Sequence, residues 1–130
     1  MTVSEVFATR GEPFFREMEA RELELMCISD QSFLLACGGG TPCFGANMEK
    51  MNAVGLTIYL KGNPRFLADR IAQKPNERPL FAGLKGDELI LFVERHLADR
   101  EAFYDQANLT LTVPFRDVEK KIEKIKTMLD

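Results

Sequence analysis

Three consecutive glycines, Gly38, Gly39 and Gly40, follow an apolar run in FLLACGGGTPCFG, residues 33–45. Bare backbone serves a turn that needs positive φ, or a surface where main chain must come close to another group. Successive glycine amides can also converge on an anion. Three arginines add charge to this picture. Arg100 falls seven residues after Val93 and three after Leu97, so at helical spacing it continues an apolar stripe. An inward guanidinium needs a carboxylate or phosphate partner, which Asp99 or a bound anion could supply. Arg16 stands between Phe15 and Met18 on the apolar side of its segment, with Glu19 three residues on. Its plainer reading is an intrahelical pair, worth little if exposed. Arg78 lies in NERPLF, a polar loop. A loop arginine is either solvated or able to swing over a transferring phosphoryl group.

Other constellations are weaker. GTPCFGAN, residues 40–47, has both glycines of GxxxxGK[ST], but Ala46 and Asn47 stand where lysine and Ser or Thr belong, so it is not a Walker A loop. His96 has no acid and nucleophile around it that suggest a triad and reads as structural. Asp87 and Glu88 suit a helix N-terminus, where carboxylates complement the dipole. Cys27, Cys37 and Cys43 form no CxxC pair and accompany a single histidine. Zinc and a disulfide scaffold are therefore not expected, and free thiols packing as small hydrophobes are.

With 130 residues the chain suits one domain, and 45% hydrophobic with 28% charged residues suits a globular one. A formal charge of -3 gives no footprint for nucleic acid. No apolar run approaches the roughly 18 to 20 residues of a membrane span, and MTVSEVFATRGEPFF lacks the basic and apolar regions of a leader. A cytoplasmic protein without nucleic-acid or membrane partners is expected.

The elements that must position these residues are marked by caps and periodicity. TVSE, residues 2–5, fits a capping box and opens a short helix ending at Gly11. Pro13 suits the first turn of a second helix to about Met26, with Phe14, Phe15, Met18 and Leu25 as its apolar face. Strands are expected at residues 33–37, 56–60 and 109–113, with a short helix before Gly55 between the first two. A helix from Pro64 to Ala72 leads into QKPNERPLFAGLKG, residues 73–86, long and punctuated enough to be a flap. A long helix over 87–104 carries Leu89, Val93 and Leu97, and a last helix begins at Pro114 with Val118, Ile122, Ile125 and Leu129 inward and lysines outward. Strands alternating with helices imply an α/β fold with a parallel sheet, whose ligands sit beyond the carboxyl ends of the strands.

In that order and spacing, TVSEVFATRGEPFFREME, LLACGGGTP, IYLKGNP, ERPLF and REAFYDQAN resemble shikimate kinases. The resemblance covers residue 2 to about residue 108. It implies a three-layer α/β/α, P-loop NTPase-like fold of the nucleoside-monophosphate-kinase type, in one domain spanning residues 1–130 with a lid at 73–86. It implies transfer of the γ-phosphoryl of ATP, with Mg2+, to the 3-hydroxyl of shikimate in chorismate and aromatic amino-acid biosynthesis, by a monomer. Position by position, Arg16 and Arg100 match the arginines holding the shikimate carboxylate, and Glu19 would orient Arg16. Gly39 matches backbone that contacts shikimate, and Gly38 and Gly40 shape that approach. Phe15, Pro79 and Leu80 match pocket walls, Arg78 the catalytic lid arginine reaching the ATP phosphates, and Arg70 an arginine beside the adenine. Ala102 and Phe103 depart from the family's Pro and Leu, and the region around Pro114 matches poorly.

The larger departure concerns the family's opening strand, GxxxxGK[ST] loop and DxD segment, which have no counterpart here. Loop, lysine and magnesium supply most of the positioning and charge that phosphoryl transfer needs. An N-terminally truncated, inactive fragment is therefore expected, with Met1 internal to a longer kinase and no metal ligand among the site residues. A noncatalytic module for small carboxylates and one half of a split kinase are the alternatives.

Overall fold

The computed structural model describes residues 2–74, 81 and 83–130. They fall into two compact units, Met1–Thr57 and Ile58–Asp130. Arg78, Pro79 and Leu80 lie outside the described residues.

The first unit begins with α1 (Val3–Cys27), opened by the expected capping box. The Glu5 amide donates to Thr2 Oγ1 at 3.1 Å, and the Thr2 amide donates to Glu5 Oε2 at 2.8 Å. Two of the orphan donors at the helix start are satisfied in this way. Gly11, at φ 81° and ψ 169°, breaks the helical path inside α1. The left-handed region favours glycine there, and Pro13 restarts the helix because its fixed φ suits a first turn. The two helices expected from the sequence are thus the two arms of one kinked element.

The buried face of the second arm differs from the expected one. Met18 and Leu25 are 45% and 55% exposed, whereas Leu23 is buried. Arg16, Glu19, Leu23 and Cys27 share the inward stripe, and the Cys27 thiol reaches the Lys50 carbonyl at 4.0 Å. An apolar-stripe search misses this face because two of its members are charged.

Residues 33–37 correct a second expectation. The stretch is not a strand: it pairs with nothing in a ladder, and Leu34 is 97% exposed. Strand conformation is held by a partner's hydrogen bonds, and among the described residues the only ladder joins two strands of the other unit. After the glycines a 3-10 turn (Thr41–Cys43) leads to α2 (Asn47–Val54), which ends at Gly55 as expected.

In the second unit β1 (Ile58–Lys61) pairs in parallel with β2 (Leu109–Thr112), Ile58 opposite Leu109 and Lys61 opposite Thr112. Between them run α3 (Pro64–Gln73), capped by the Asn63 side chain accepting from the Phe66 amide at 2.8 Å, and α4 (Gly86–Tyr104). Ala68 of α3 and Leu89 and Val93 of α4 form the core, with Leu67, Ile71, Phe81, Leu84, Ile90 and Leu97 packed around them. The last helix, α5 (Val118–Leu129), starts four residues later than Pro114 because Asp117 caps it, accepting from the Lys120 amide at 3.1 Å. Its Val118, Ile122 and Leu129 are exposed rather than buried. None of the three cysteines forms a disulfide, and among the described residues no helix is long and apolar enough to cross a membrane.

His96 belongs to the α4 packing. Its ring stacks on Phe92 at 6.2 Å and meets Phe81 edge-on at 5.8 Å. Burial first, and the positive charge of Arg100 second, push its pKa below the ordinary 6.5, with Asp99 opposing. The folded chain therefore favours neutral His96 more than the unfolded chain does. The resulting stability is complete above 6.5 and is lost as pH falls through the lower folded value. Thermal unfolding of wild type and His96→Gln across this range should show the wild-type Tm falling more steeply with acid; parallel curves would contradict this account.

Candidate functional site

The site is built around Arg16 in the second arm of α1. Arg16 Nη1 donates to Glu19 Oε1 at 2.9 Å, and Nε donates to Glu12 Oε1 at 3.4 Å. The side chains of Arg16 and Glu19 are 15% and 18% exposed, while that of Glu12 is 51% exposed. Glu19 is thus the close partner, and Glu12 is a solvated one of little net strength. Glu19 has a second hold: Thr41 Oγ1 donates to its Oε2 at 2.9 Å. The Thr41 carbonyl in turn accepts from Asn47 Nδ2 at 2.9 Å, and both Thr41 and Asn47 are buried. The guanidinium also stands over Phe44 at 4.2 Å and Phe15 at 5.1 Å, within cation–π range.

The glycine run meets this arginine directly. A Cβ at Gly40 would collide with Arg16 Nη2, with Nη1 at 2.7 Å and with Cζ at 2.8 Å. Gly40 has φ of -83°, a value any residue can adopt, so close approach rather than turn geometry demands glycine there. The atom group at Gly40 is the arginine of the same chain. A Cβ at Gly38 would make only ordinary contacts, with Thr41 Oγ1 at 3.5 Å and Glu19 Oε2 at 4.0 Å. The Gly38 carbonyl accepts from the Thr41 amide at 3.1 Å, and the Gly39 carbonyl receives the Cys43 thiol at 3.8 Å.

Among the described residues Arg16 Nη2 has no hydrogen-bond acceptor, so the fork keeps donor capacity for an incoming oxygen. Because Glu19 already balances the Arg16 charge, an anion there gains mainly directed hydrogen bonds rather than net charge. Arg100, in the other unit, is half-buried on α4, and among the described residues neither Asp99 nor any other acid pairs with it. Phe15 is half-buried, with its ring 4.8 Å from that of Phe7. Arg70 is exposed in the last turn of α3, over Phe66 at 5.8 Å. Arg78, Pro79 and Leu80 lie outside the described residues. The sequence reading missed Thr41, Phe44 and Asn47; a buried asparagine at the first position of a helix was the one signal available.

Gly40→Ala separates packing from stability. The displaced group is the end of a flexible side chain, and alanine at this φ restricts the unfolded chain by about 0.4–1 kcal/mol, so net stability should change little. The guanidinium should nonetheless leave its seat. A crystal structure of the variant with Arg16 unmoved, or a large loss in Tm, would refute this.

Comparison with known proteins gives the family. A family profile described as "Shikimate kinase" matches residues 1–129. A shikimate kinase of Flavobacterium psychrophilum is 40% identical, the match covering 95% of this chain and 74% of that protein. One from Parabacteroides distasonis is 39% identical over 98% of this chain and 73% of its own length. The crystal structure of shikimate kinase from Bacteroides thetaiotaomicron matches with a TM-score of 0.84 at 34% identity, covering 98% of this chain and 74% of that one. This fold is the α/β, P-loop NTPase-like one, and the family's phosphoryl donor is ATP. The chain therefore belongs to the shikimate kinases, a transferase family.

Proposed function

We propose that these residues form the shikimate-recognising part of a kinase that phosphorylates the 3-hydroxyl of shikimate to shikimate 3-phosphate, in chorismate and aromatic amino-acid biosynthesis. The observation that carries this reading is the largely buried Arg16, seated against Gly40 and fixed by Glu19, with Nη2 left to donate. Arg16 and Arg100 hold the carboxylate. A carboxylate accepts paired N–H donors, and a second cation supplies the net attraction that the Glu19-balanced Arg16 lacks. Main chain at Gly38, Gly39 and Gly40 lies beside the polyhydroxy ring, with Phe15, Pro79 and Leu80 as walls. Arg78 reaches the ATP phosphates and Arg70 the adenine side. Phosphoryl transfer asks the protein chiefly to hold acceptor and donor in line and to balance charge, and these residues serve the acceptor.

The donor side is thin in this chain. Its 130 residues contain no GxxxxGK[ST], and among the described residues no group of three or more His, Cys, Asp or Glu could hold a metal. Mg2+ has no ligand set there. The same fact favours a second reading, in which the chain binds the small carboxylate without catalysing its phosphorylation. In either case we place a cytoplasmic monomer of net charge -3, with no nucleic-acid partner.

Calorimetry separates these possibilities. Shikimate should bind the chain, and ATP should not; micromolar ATP affinity would reject this view of the donor side. Arg16→Lys and Arg100→Ala should each weaken shikimate about tenfold or more, as expected for losing a charged hydrogen bond. Shikimate methyl ester, whose carboxylate is blocked, should bind wild type as weakly as the variants and lose little further in them. Additive losses would show that neither arginine serves the carboxylate.

A further inference from the structure

We infer that Thr41 and Phe44, locked in place by Asn47, are positioning residues for Arg16. The inference rests on the reading of Arg16 as carboxylate receptor, and it gives a role to TPCFGAN, the stretch that fails as a phosphate loop. Arginine loses much rotamer freedom when held in one place, so a receptor arginine needs more than one contact. Besides the solvated Glu12 and the more distant Phe15 ring, two partners hold the guanidinium closely: Glu19 at 2.9 Å and the Phe44 ring at 4.2 Å. Glu19 alone is a poor anchor, because a carboxylate on a helix face can rotate towards solvent. The Thr41 hydroxyl removes that freedom by donating to Oε2 while Oε1 serves Arg16.

Thr41 is itself held from below. The Asn47 amide, only 1% exposed, donates to its carbonyl, and the Gly38 carbonyl accepts its amide at 3.1 Å. The path runs from the start of α2 through Thr41 and Glu19 to the arginine. Phe44 is 36% exposed, and its face is the platform for the cation. None of these residues need touch the substrate to affect it. Their effect passes through the angle at which Nη2 is offered.

The test uses three variants of the full chain and two readouts. Thr41→Val keeps the side-chain shape and removes the donor, Phe44→Leu keeps apolar bulk and removes the ring, and Thr41→Ser keeps the hydroxyl. The first readout is the Arg16 Nε–Hε signal in nitrogen–proton NMR, with its exchange rate; the second is shikimate affinity by calorimetry. Thr41→Val and Phe44→Leu should speed Hε exchange and weaken shikimate, each about tenfold, while Thr41→Ser restores both. Unchanged exchange in Thr41→Val and Phe44→Leu overturns the proposal, and so does a Thr41→Ser that behaves like Thr41→Val. If Thr41→Val loses its dispersed amide spectrum, Phe44→Leu decides alone by the same exchange criterion. Faster exchange with unaltered shikimate affinity upholds the positioning role and rejects the carboxylate reading on which it rests.

Discussion

A guanidinium on a side chain only 15% exposed must be paired, and the first unit is arranged around that requirement. Glu19 lies one turn along the same helix face, where its carboxylate can meet Arg16 Nη1. The part-buried charge pair occupies positions that a helix would ordinarily fill with apolar side chains. Leu23 and Cys27 continue the same stripe further down α1. The glycine turn is also subordinate to it, since Gly40 has no side chain where the guanidinium lies. Removing one partner of such a pair leaves a charge without compensation, which costs more than the pair contributes when whole.

Much of the fold was legible because local chemistry marks its own boundaries. The Thr2 box, the Gly11 break, the Pro64 start and the Gly55 stop each act within a few residues, and each lies where the sequence places it. The α4 stripe of Leu89 and Val93 was readable for the same reason, as it depends only on helical period. Residues 33–37 were not, because a strand is a relation between two segments. Composition alone can say that FLLAC favours extended chain, but not that a ladder will receive it. At α5 the lysine-studded pattern predicted the helix correctly, while the burial of its apolar face depended on packing that no periodicity encodes.

The candidate site divides along the same line. Arg100 stood out because a charge on an apolar stripe is visible in one dimension, and Arg16 because it stands among apolar neighbours, although the face expected there was not the buried one. Thr41, Phe44 and Asn47 did not stand out, since Thr41 and Phe44 matter through contacts to a helix more than twenty residues earlier, Thr41 and Glu19 being 22 apart, and Asn47 through Thr41. Tested against the phosphate-loop pattern, GTPCFGAN simply failed. Placed in space, the same segment turns its threonine, phenylalanine and asparagine to the support of the arginine rather than of an anion. A failed motif is thus uninformative about role, because a pattern asks for one chemistry and the segment can supply another.

This arrangement also changes how the three glycines are understood. Bare backbone after an apolar run suggests a surface cleared for a ligand, and at Gly40 the cleared space is filled by Arg16. Preorganisation of this kind shifts part of the recognition cost from the binding event to folding, where helix, turn and Asn47 share it. On the proposed reading, a ligand carboxylate meets a donor whose orientation is already set, so that its affinity reflects the hydrogen bonds gained rather than the freedom an arginine would lose. Arg100, half-buried and without an acid partner among the described residues, lacks that internal saturation.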